Sequence, residues 1–411
     1  MTRAWRWGLC LLAACATSRG EERPAPALET PPPVTAPPPV STPPEVVRRP
    51  PPRVIPTQLT GVDAAHRMTL HVLDVGQGSA TLLEFPCGAA LVDTGGELND
   101  SFDAVAALRA QLDAFFARRT DLDHTLDVVV LTHPHIDHVR GVPMVLATYK
   151  VRNIVDNGRK GDTLVRESLE PWWSFAEQNP DHYRAVGNTD ELPFTGLQDG
   201  VTDPVACAPV DPRIRVLSGG YTADPGWGAR EDRKHFGNEN NHSVVVRVDL
   251  GKASALITGD LEEPALRTLV EHFRGTRMLD VDVYLVGHHG SANGTTRELM
   301  DVMTPAVALM SMGPSSRHAS WTAWQYGHPR QKVVDLLLEG GLAGRAPVEV
   351  PTARGQRQFG GVTVDRAVFG TGWDGAISVD LAEDGSLAVS MAQPAELLRK
   401  NPAATPAPPP S

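Results

Sequence analysis

Short apolar runs separated by tight turns dominate the chain from Met68 onward. Thr69–Val75 reads as a strand, broken by the turn Gly76-Gln77-Gly78-Ser79. Ala80–Phe85 and Ala89–Val92 follow as two more, with Pro86-Cys87-Gly88 between them, so an antiparallel meander is expected. From Phe102 to Arg119, apolar residues at three- and four-residue spacings predict a helix. The run Val128-Val129-Val130-Leu131 is short, β-branched and uninterrupted, which predicts a buried strand. Further strands are expected over Val244–Leu250, its hairpin partner Ala253–Ile257, Val281–Val286 and Ala306–Met312. Helices are expected over Glu263–Phe273, Thr296–Met303 and Gln331–Glu339. Two last strands flank Glu383-Asp384-Gly385 as a closing hairpin without site residues.

Directly after the buried strand comes His133-Pro134-His135-Ile136-Asp137-His138. Open α/β sheets place their ligands at the carboxyl ends of strands, and this cluster falls at such an end. Imidazole and carboxylate suit zinc and other borderline divalent metals. In an extended loop alternate residues face opposite ways, so His133 and His135 can grip one ion. Asp137 and His138 then turn back towards a second. A solvated loop that is histidine-rich by accident is the disfavoured alternative.

Composition narrows the class of protein. With 411 residues the chain holds one large domain or two ordinary ones, and its apolar content is that of a soluble globular protein. A formal net charge of -11 argues against a general nucleic-acid coat, though it leaves room for a local basic groove. Four cysteines are too few and too scattered for a disulfide scaffold or a zinc knuckle. Cys87 and Cys207 could pair in an oxidising compartment. No Gly-x-Ser-x-Gly nucleophile turn and no phosphate-cradling glycine loop is present, so water is the expected nucleophile.

Both ends of the chain read differently from its body. Residues 1–15 resemble an export signal, with Arg3 and Arg6 ahead of a short apolar core that is too short for a stable membrane span. Leu12-Ala13-Ala14-Cys15 resembles a bacterial lipobox, with Cys15 as the lipidation site, and an ordinary cleaved signal is the alternative. Either reading makes the protein exported, as a periplasmic or outer-membrane-tethered lipoprotein on the first. Residues 16–60 are rich in proline and are expected to form an extended tether. Residues 393–411 are expected to be a disordered tail, which leaves 66–392 as the folded domain.

The loop His133-x-His135-x-Asp137-His138, preceded by Val92-Asp93-Thr94-Gly95, resembles the signature of the metallo-β-lactamase fold superfamily. Three further stretches resemble the hydrolase domain of the ComEC-type DNA-uptake competence channel and its stand-alone relatives. These are Leu73-Asp74-Val75-Gly76-Gln77-Gly78-Ser79-Ala80, Val286-Gly287-His288-His289-Gly290-Ser291 and Tyr326-Gly327-His328-Pro329. The relatives usually carry Asp where this chain has Ser79. The resemblance implies an α/β fold, a four-layer αββα sandwich of two mixed β-sheets with outer helices.

It also implies a site holding two divalent metal ions, zinc expected and manganese the alternative. His133, His135, Asp137 and His138 are the first ligands, and Asp260 is the bridging carboxylate. Asp93 supports the metal loop from behind. His242 is a possible further ligand. One of His288 and His289 faces the metals, with His288 favoured and His289 left to bind substrate. His328 is a metal ligand or a general acid for the leaving group. Asp137 orients the attacking water while ligating.

The expected activity is hydrolysis by a hydroxide held between the metals, on a phosphodiester of nucleic acid or a small molecule. A lactone, lactam or thioester hydrolase is the enzymatic alternative, and a non-catalytic binding lipoprotein is the alternative of another class. Membrane contact is expected only through the N-terminal lipid, and no protein partner is inferable. Residues 150–240 exceed what the fold needs and are read as an elaboration near the site. A basic stripe of Arg152, Arg159, Lys160 and Arg166 there would favour nucleic acid, and an apolar pocket under Trp172 and Trp173 would favour a small ester.

Overall fold

The computed structural model describes residues 54–187, 192–221 and 236–392. The expected export signal with Cys15, most of the tether and the tail lie outside these residues. The body starts earlier than residue 66. Ile55 is buried in the core and its amide donates to the Gly344 carbonyl at 2.9 Å.

The first sheet takes strands β1 (Arg67–Val72), β2 (Thr81–Glu84), β3 (Ala89–Val92), β4 (Thr125–Val130), β5 (Lys150–Asp156) and β6 (Tyr183–Ala185). The second takes β7 (Arg213–Ser218), β8 (Val245–Leu250), β9 (Ala253–Ile257), β10 (Val283–Leu285) and β11 (Val307–Met310). A long hairpin, β12 (Gly344–Gly355) and β13 (Gln358–Arg366), precedes β14 (Val368–Gly370), which joins the second sheet. The chain then returns to the first sheet through β15 (Ile377–Ala382) and β16 (Leu387–Met391).

The strand order is β16-β15-β1-β2-β3-β4-β5-β6 in one sheet and β14-β11-β10-β9-β8-β7 in the other. From β3 to β6 and from β9 to β14 neighbouring strands are parallel, and the remaining pairs are antiparallel. Both sheets are therefore mixed, and the expected meander is β1-β2-β3.

Side-chain alternation sets the layers. Val128 and Val130 of β4 share one core with Val246 and Val248 of β8, which places that core between the sheets. Val129 points the other way and packs with Leu108, Leu112 and Phe116 of helix α1 (Ala104–Arg118). On the outer face of the second sheet, Leu266 and Leu269 of α2 (Glu263–His272) and Val333, Val334 and Leu337 of α3 (Gln331–Glu339) pack against Leu256 and Tyr284. The result is the expected four-layer αββα sandwich, and β4 is buried throughout because both of its faces are covered.

The stretch 150–240 is less of an elaboration than expected. β5 is a core strand, β7 is an edge strand, and the helix Arg166–Gln178 covers the outer face of the first sheet. Trp172 is buried in that face and donates its indole N–H to Asp156 at 2.6 Å. It forms no wall of a pocket. Cys87 and Cys207 are joined as a disulfide.

Candidate metal centre

Parallel strands end on the same side, so β3, β4, β9 and β10 deliver their following loops to one place. Asp93 follows β3, the His/Asp loop follows β4, Asp260 follows β9, and His288 and His289 follow β10. Half of the site thus comes from each sheet. The backbones must approach closely for this. A Cβ at Gly95 would come within 1.8 Å of the Asp137 carbonyl oxygen, which accounts for the glycine after Asp93-Thr94. The Ser79 amide donates to that same carbonyl at 3.0 Å. Gly76-Gln77-Gly78-Ser79 is therefore a brace for the metal loop.

Asp260 is the centre of the arrangement. Its Oδ2 lies 3.2 Å from His138 Nε2, 3.4 Å from His289 Nε2, 3.8 Å from His288 Nε2 and 3.9 Å from His133 Nε2. Asp137 Oδ2 stands 3.4 Å from His289 Nε2. Among the described residues, two groups bring one donor atom from each member within 4.8 Å of one another: His133, His138 and Asp260, and Asp137, His138 and His289. His135 adjoins the first, its Nδ1 3.0 Å from His133 Nε2.

The partners behind these residues fix which nitrogen faces inward. His138 Nδ1 contacts Asp93 Oδ2 at 2.8 Å, and His289 Nδ1 contacts the Ser311 carbonyl at 2.8 Å. In each ring Nδ1–H is the donor, which leaves the Nε2 lone pair turned to the cluster, the arrangement metal-binding histidines use. Asp93 is fully buried and also accepts from the Thr132 amide at 2.8 Å. Asp93 thus sits behind the His138 ring. Ser243 Oγ accepts from the Asp260 amide at 3.1 Å and sits 3.3 Å from His133 Nδ1. Nothing in the sequence singled out Ser243 or Ser311, beyond their places next to β8 and β11.

Electrostatics test whether these residues suit a cation. Burial opposes charge on His138, yet the Asp260 and Asp93 carboxylates push its proton affinity well above the usual histidine range. His289 behaves alike: burial is overcome by Asp260 and Asp137, and it rises to about 10. Burial would raise Asp260, but the charges of His289 and His138 hold it well below the usual carboxylate range. His138 and His289 meet Nε2 to Nε2 at 3.3 Å, with carboxylates on either side. Facing nitrogens backed by buried carboxylates call for positive charge between them. A divalent cation supplies it and releases the protons, so the donor set fits the metal.

Two expectations change. The inner residue of the pair is His289, which is 3 % exposed, while His288 is 19 % exposed and belongs to neither group. His242 is turned away: its Nδ1 accepts from the Tyr221 amide at 2.9 Å and its Nε2 contacts the Phe236 carbonyl at 2.8 Å. Both nitrogens are used, so the ring has no lone pair for a metal. The four basic residues whose alignment beside the site would favour nucleic acid are dispersed. Arg152 pairs with Asp127 and Arg159 with Glu239, while Lys160 and Arg166 line a separate groove with Trp173.

The centre opens into a cavity of about 310 Å³ lined by His135, Asp137, Asp260, His288, His289 and His328, among others. His328 is buried beside the cluster, and the Gln77 side-chain amide lies 3.2 Å from its Nδ1. Burial, then the charges of His289 and His288, hold its proton affinity well below the usual range. It enters neither donor group.

Residues 73–313 match the family described as Metallo-beta-lactamase superfamily. Over 279 residues the chain is 26% identical to "ComE operon protein 3" of Bacillus subtilis, a match covering 65% of this chain and 30% of that protein. Over 256 residues it is 26% identical to "Recombination protein 2" of Haemophilus influenzae, covering 62% of this chain and 25% of that protein. The chain therefore spans about a third or less of these relatives' length.

Proposed function

This chain belongs to the metallo-β-lactamase superfamily, and on that premise we propose that it is an exported, metal-dependent hydrolase of phosphodiesters. The observation that carries the reading is the convergence of His138, His289 and Asp137 around Asp260 beneath an open cavity. Divalent ions held there would acidify a bound water and offset negative charge on the scissile group.

The protein's own residues divide the remaining work. Asp137 is 30 % exposed at the cavity floor, so its carboxylate can both ligate and accept a hydrogen bond from the attacking water. With Gln77 donating to its Nδ1, His328 carries its proton on Nε2. It stays neutral near pH 7 because burial disfavours its charge. It is thus a hydrogen-bond donor for the leaving oxygen. His288 supplies a second imidazole at the cavity wall.

The name of one relative refers to recombination, a process of DNA, which supports a phosphodiester over a lactam or lactone. The Cys87–Cys207 disulfide supports an oxidising location outside the cytoplasm. Among the described residues no helix is long and apolar enough to cross a membrane; the attachment we propose is a lipid at Cys15.

The test is hydrolysis of bis-(p-nitrophenyl) phosphate and single-stranded DNA by the full chain with zinc or manganese. Metal-dependent cleavage lost in Asp137→Ala and His135→Ala is the expected result. A protein that binds metal and cleaves neither substrate refutes the phosphodiester and moves the search to lactones and lactams.

A further inference from the structure

Two features of the cavity have no role in holding metal. The first is Arg140, two residues after His138, which lines the cavity beside Asp137. Its Nε donates to the Gly96 carbonyl at 2.9 Å. Among the described residues it makes no ion pair. Most other arginines in the body do, for example Arg118 and Arg119 with Glu84, Arg317 with Glu97 and Arg345 with Asp374. A guanidinium anchored through Nε keeps its two terminal nitrogens in a fixed plane, which suits two oxygens of one anion.

The second feature is aromatic. Tyr326 stacks on His328 at 5.8 Å between ring centroids, and Trp321 meets Tyr326 edge-to-face at 6.3 Å. This row of rings leads from the cluster to the cavity rim, where Trp321 is 55 % exposed. Its backbone is left-handed, with φ of 61°, which is costly for a bulky residue and holds the indole out at the rim. Leu164, 58 % exposed, belongs to the same cavity. Large apolar groups at the mouth of a polar cleft suit a substrate with an apolar or flat part.

We propose that Arg140 and Trp321 form a two-part substrate subsite. Arg140 holds an anionic oxygen of the phosphodiester next to Asp137, and Trp321 stacks a flat ring carried by the same substrate. The class this recognises is a nucleotide unit with an unpaired base, as at a single-stranded end, because a base inside a duplex has no free face for the indole. The inference rests on the phosphodiesterase reading for its choice of anion.

The experiment is calorimetric titration of the metal-loaded full chain with thymidine 3′,5′-bisphosphate, alongside cleavage of single- and double-stranded DNA. Arg140→Met is expected to weaken binding about 10- to 100-fold, with Arg140→Lys between it and the parent. Trp321→Ala is expected to weaken it about 5- to 50-fold, with Trp321→Phe retaining most of the affinity. Metal content measured on each variant should stay at the parent level. Trp321 lies at the exposed rim, so its result stands even where Arg140→Met disturbs the loop. Unchanged binding in Arg140→Met and Trp321→Ala overturns the subsite, as does a parent protein that does not bind the bisphosphate. A parent that binds through both residues and cleaves no phosphodiester keeps the subsite and overturns the proposed activity. A parent that cleaves DNA while both variants bind normally does the reverse.

Discussion

Asp93→Asn changes one atom and should weaken the metal centre without unfolding the protein. Asp93 is fully buried and only accepts: Oδ1 takes the Thr132 amide at 2.8 Å, and Oδ2 faces His138 Nδ1 at 2.8 Å and Thr132 Oγ1 at 2.9 Å. An asparagine fills the same space but brings an NH₂. In one orientation that NH₂ meets His138 Nδ1–H, and in the other it meets the Thr132 amide. Each places donor against donor in a fully buried site. The first is escaped only if His138 moves its proton to Nε2, where it blocks the lone pair that faces Asp260 and His289. A lost buried partner costs roughly 1–3 kcal/mol. Loss of a partner behind a metal-binding histidine weakens metal binding by about 10- to 100-fold. Metal titration against a competing chelator, with a urea melt on the same sample, separates the two effects. Expected is a folded protein whose metal affinity has fallen by that factor. Metal affinities equal to the parent's would show that Asp93 does not set the His138 tautomer, and the reasoning would fail.

His289→Ala should remove one metal site and abolish activity, whereas His288→Ala should keep metal content at the parent level, as elemental analysis of both would report. His242→Ala should likewise leave metal content intact, because both ring nitrogens serve the Tyr221 and Phe236 backbone; its expected effect is about 1–3 kcal/mol of stability, read from urea melts. Asp156 is buried, and burial raises its carboxyl from 3.8 to about 6 against the hydrogen bonds from Trp172, Gly158 and Tyr183. The folded state therefore favours the protonated acid, a contribution present in full below the unfolded pKa and lost as pH rises through 6. Two units correspond to about 3 kcal/mol. Relative to the parent, Asp156→Asn should gain about that much between pH 4 and pH 8 in paired urea melts, and a constant difference would contradict the assignment.

The sheets and helices were legible wherever one face of an element met one environment. Val128-Val129-Val130 shows a buried parallel strand because both faces are covered, and α1 shows its three- and four-residue spacing because one side meets the sheet. The long hairpin of β12 and β13 escaped notice. Its residues alternate incompletely, with prolines at 347 and 351 and a pair of glycines at 360 and 361. The segment over residues 150–240 misled for another reason. Its strands β5 and β7 belong to different sheets, and no local pattern says which sheet a strand will join. Trp172-Trp173 carries no sign of which way its rings turn, and Asp156, sixteen residues before Trp172, draws that indole inward.

The pair His288-His289 marks where local sequence stops being informative. Adjacent residues in an extended chain face opposite ways, and nearness to the strand end favoured His288. The backbone does not stay extended. Both residues are left-handed, with φ of 51° and 53°, and the turn carries the second ring under Asp260. What holds it there is the Ser311 carbonyl, twenty-two residues later at the end of the next parallel strand. That carbonyl occupies Nδ1 and leaves Nε2 for the cluster. His288 Nδ1, though buried, has no hydrogen-bond partner. The ring with a fixed tautomer is the one suited to ligate, because its proton is already placed on the far side. The choice between two identical neighbours is therefore made by a long-range hydrogen bond and two unusual dihedrals, neither of which has a signature in the six residues around them.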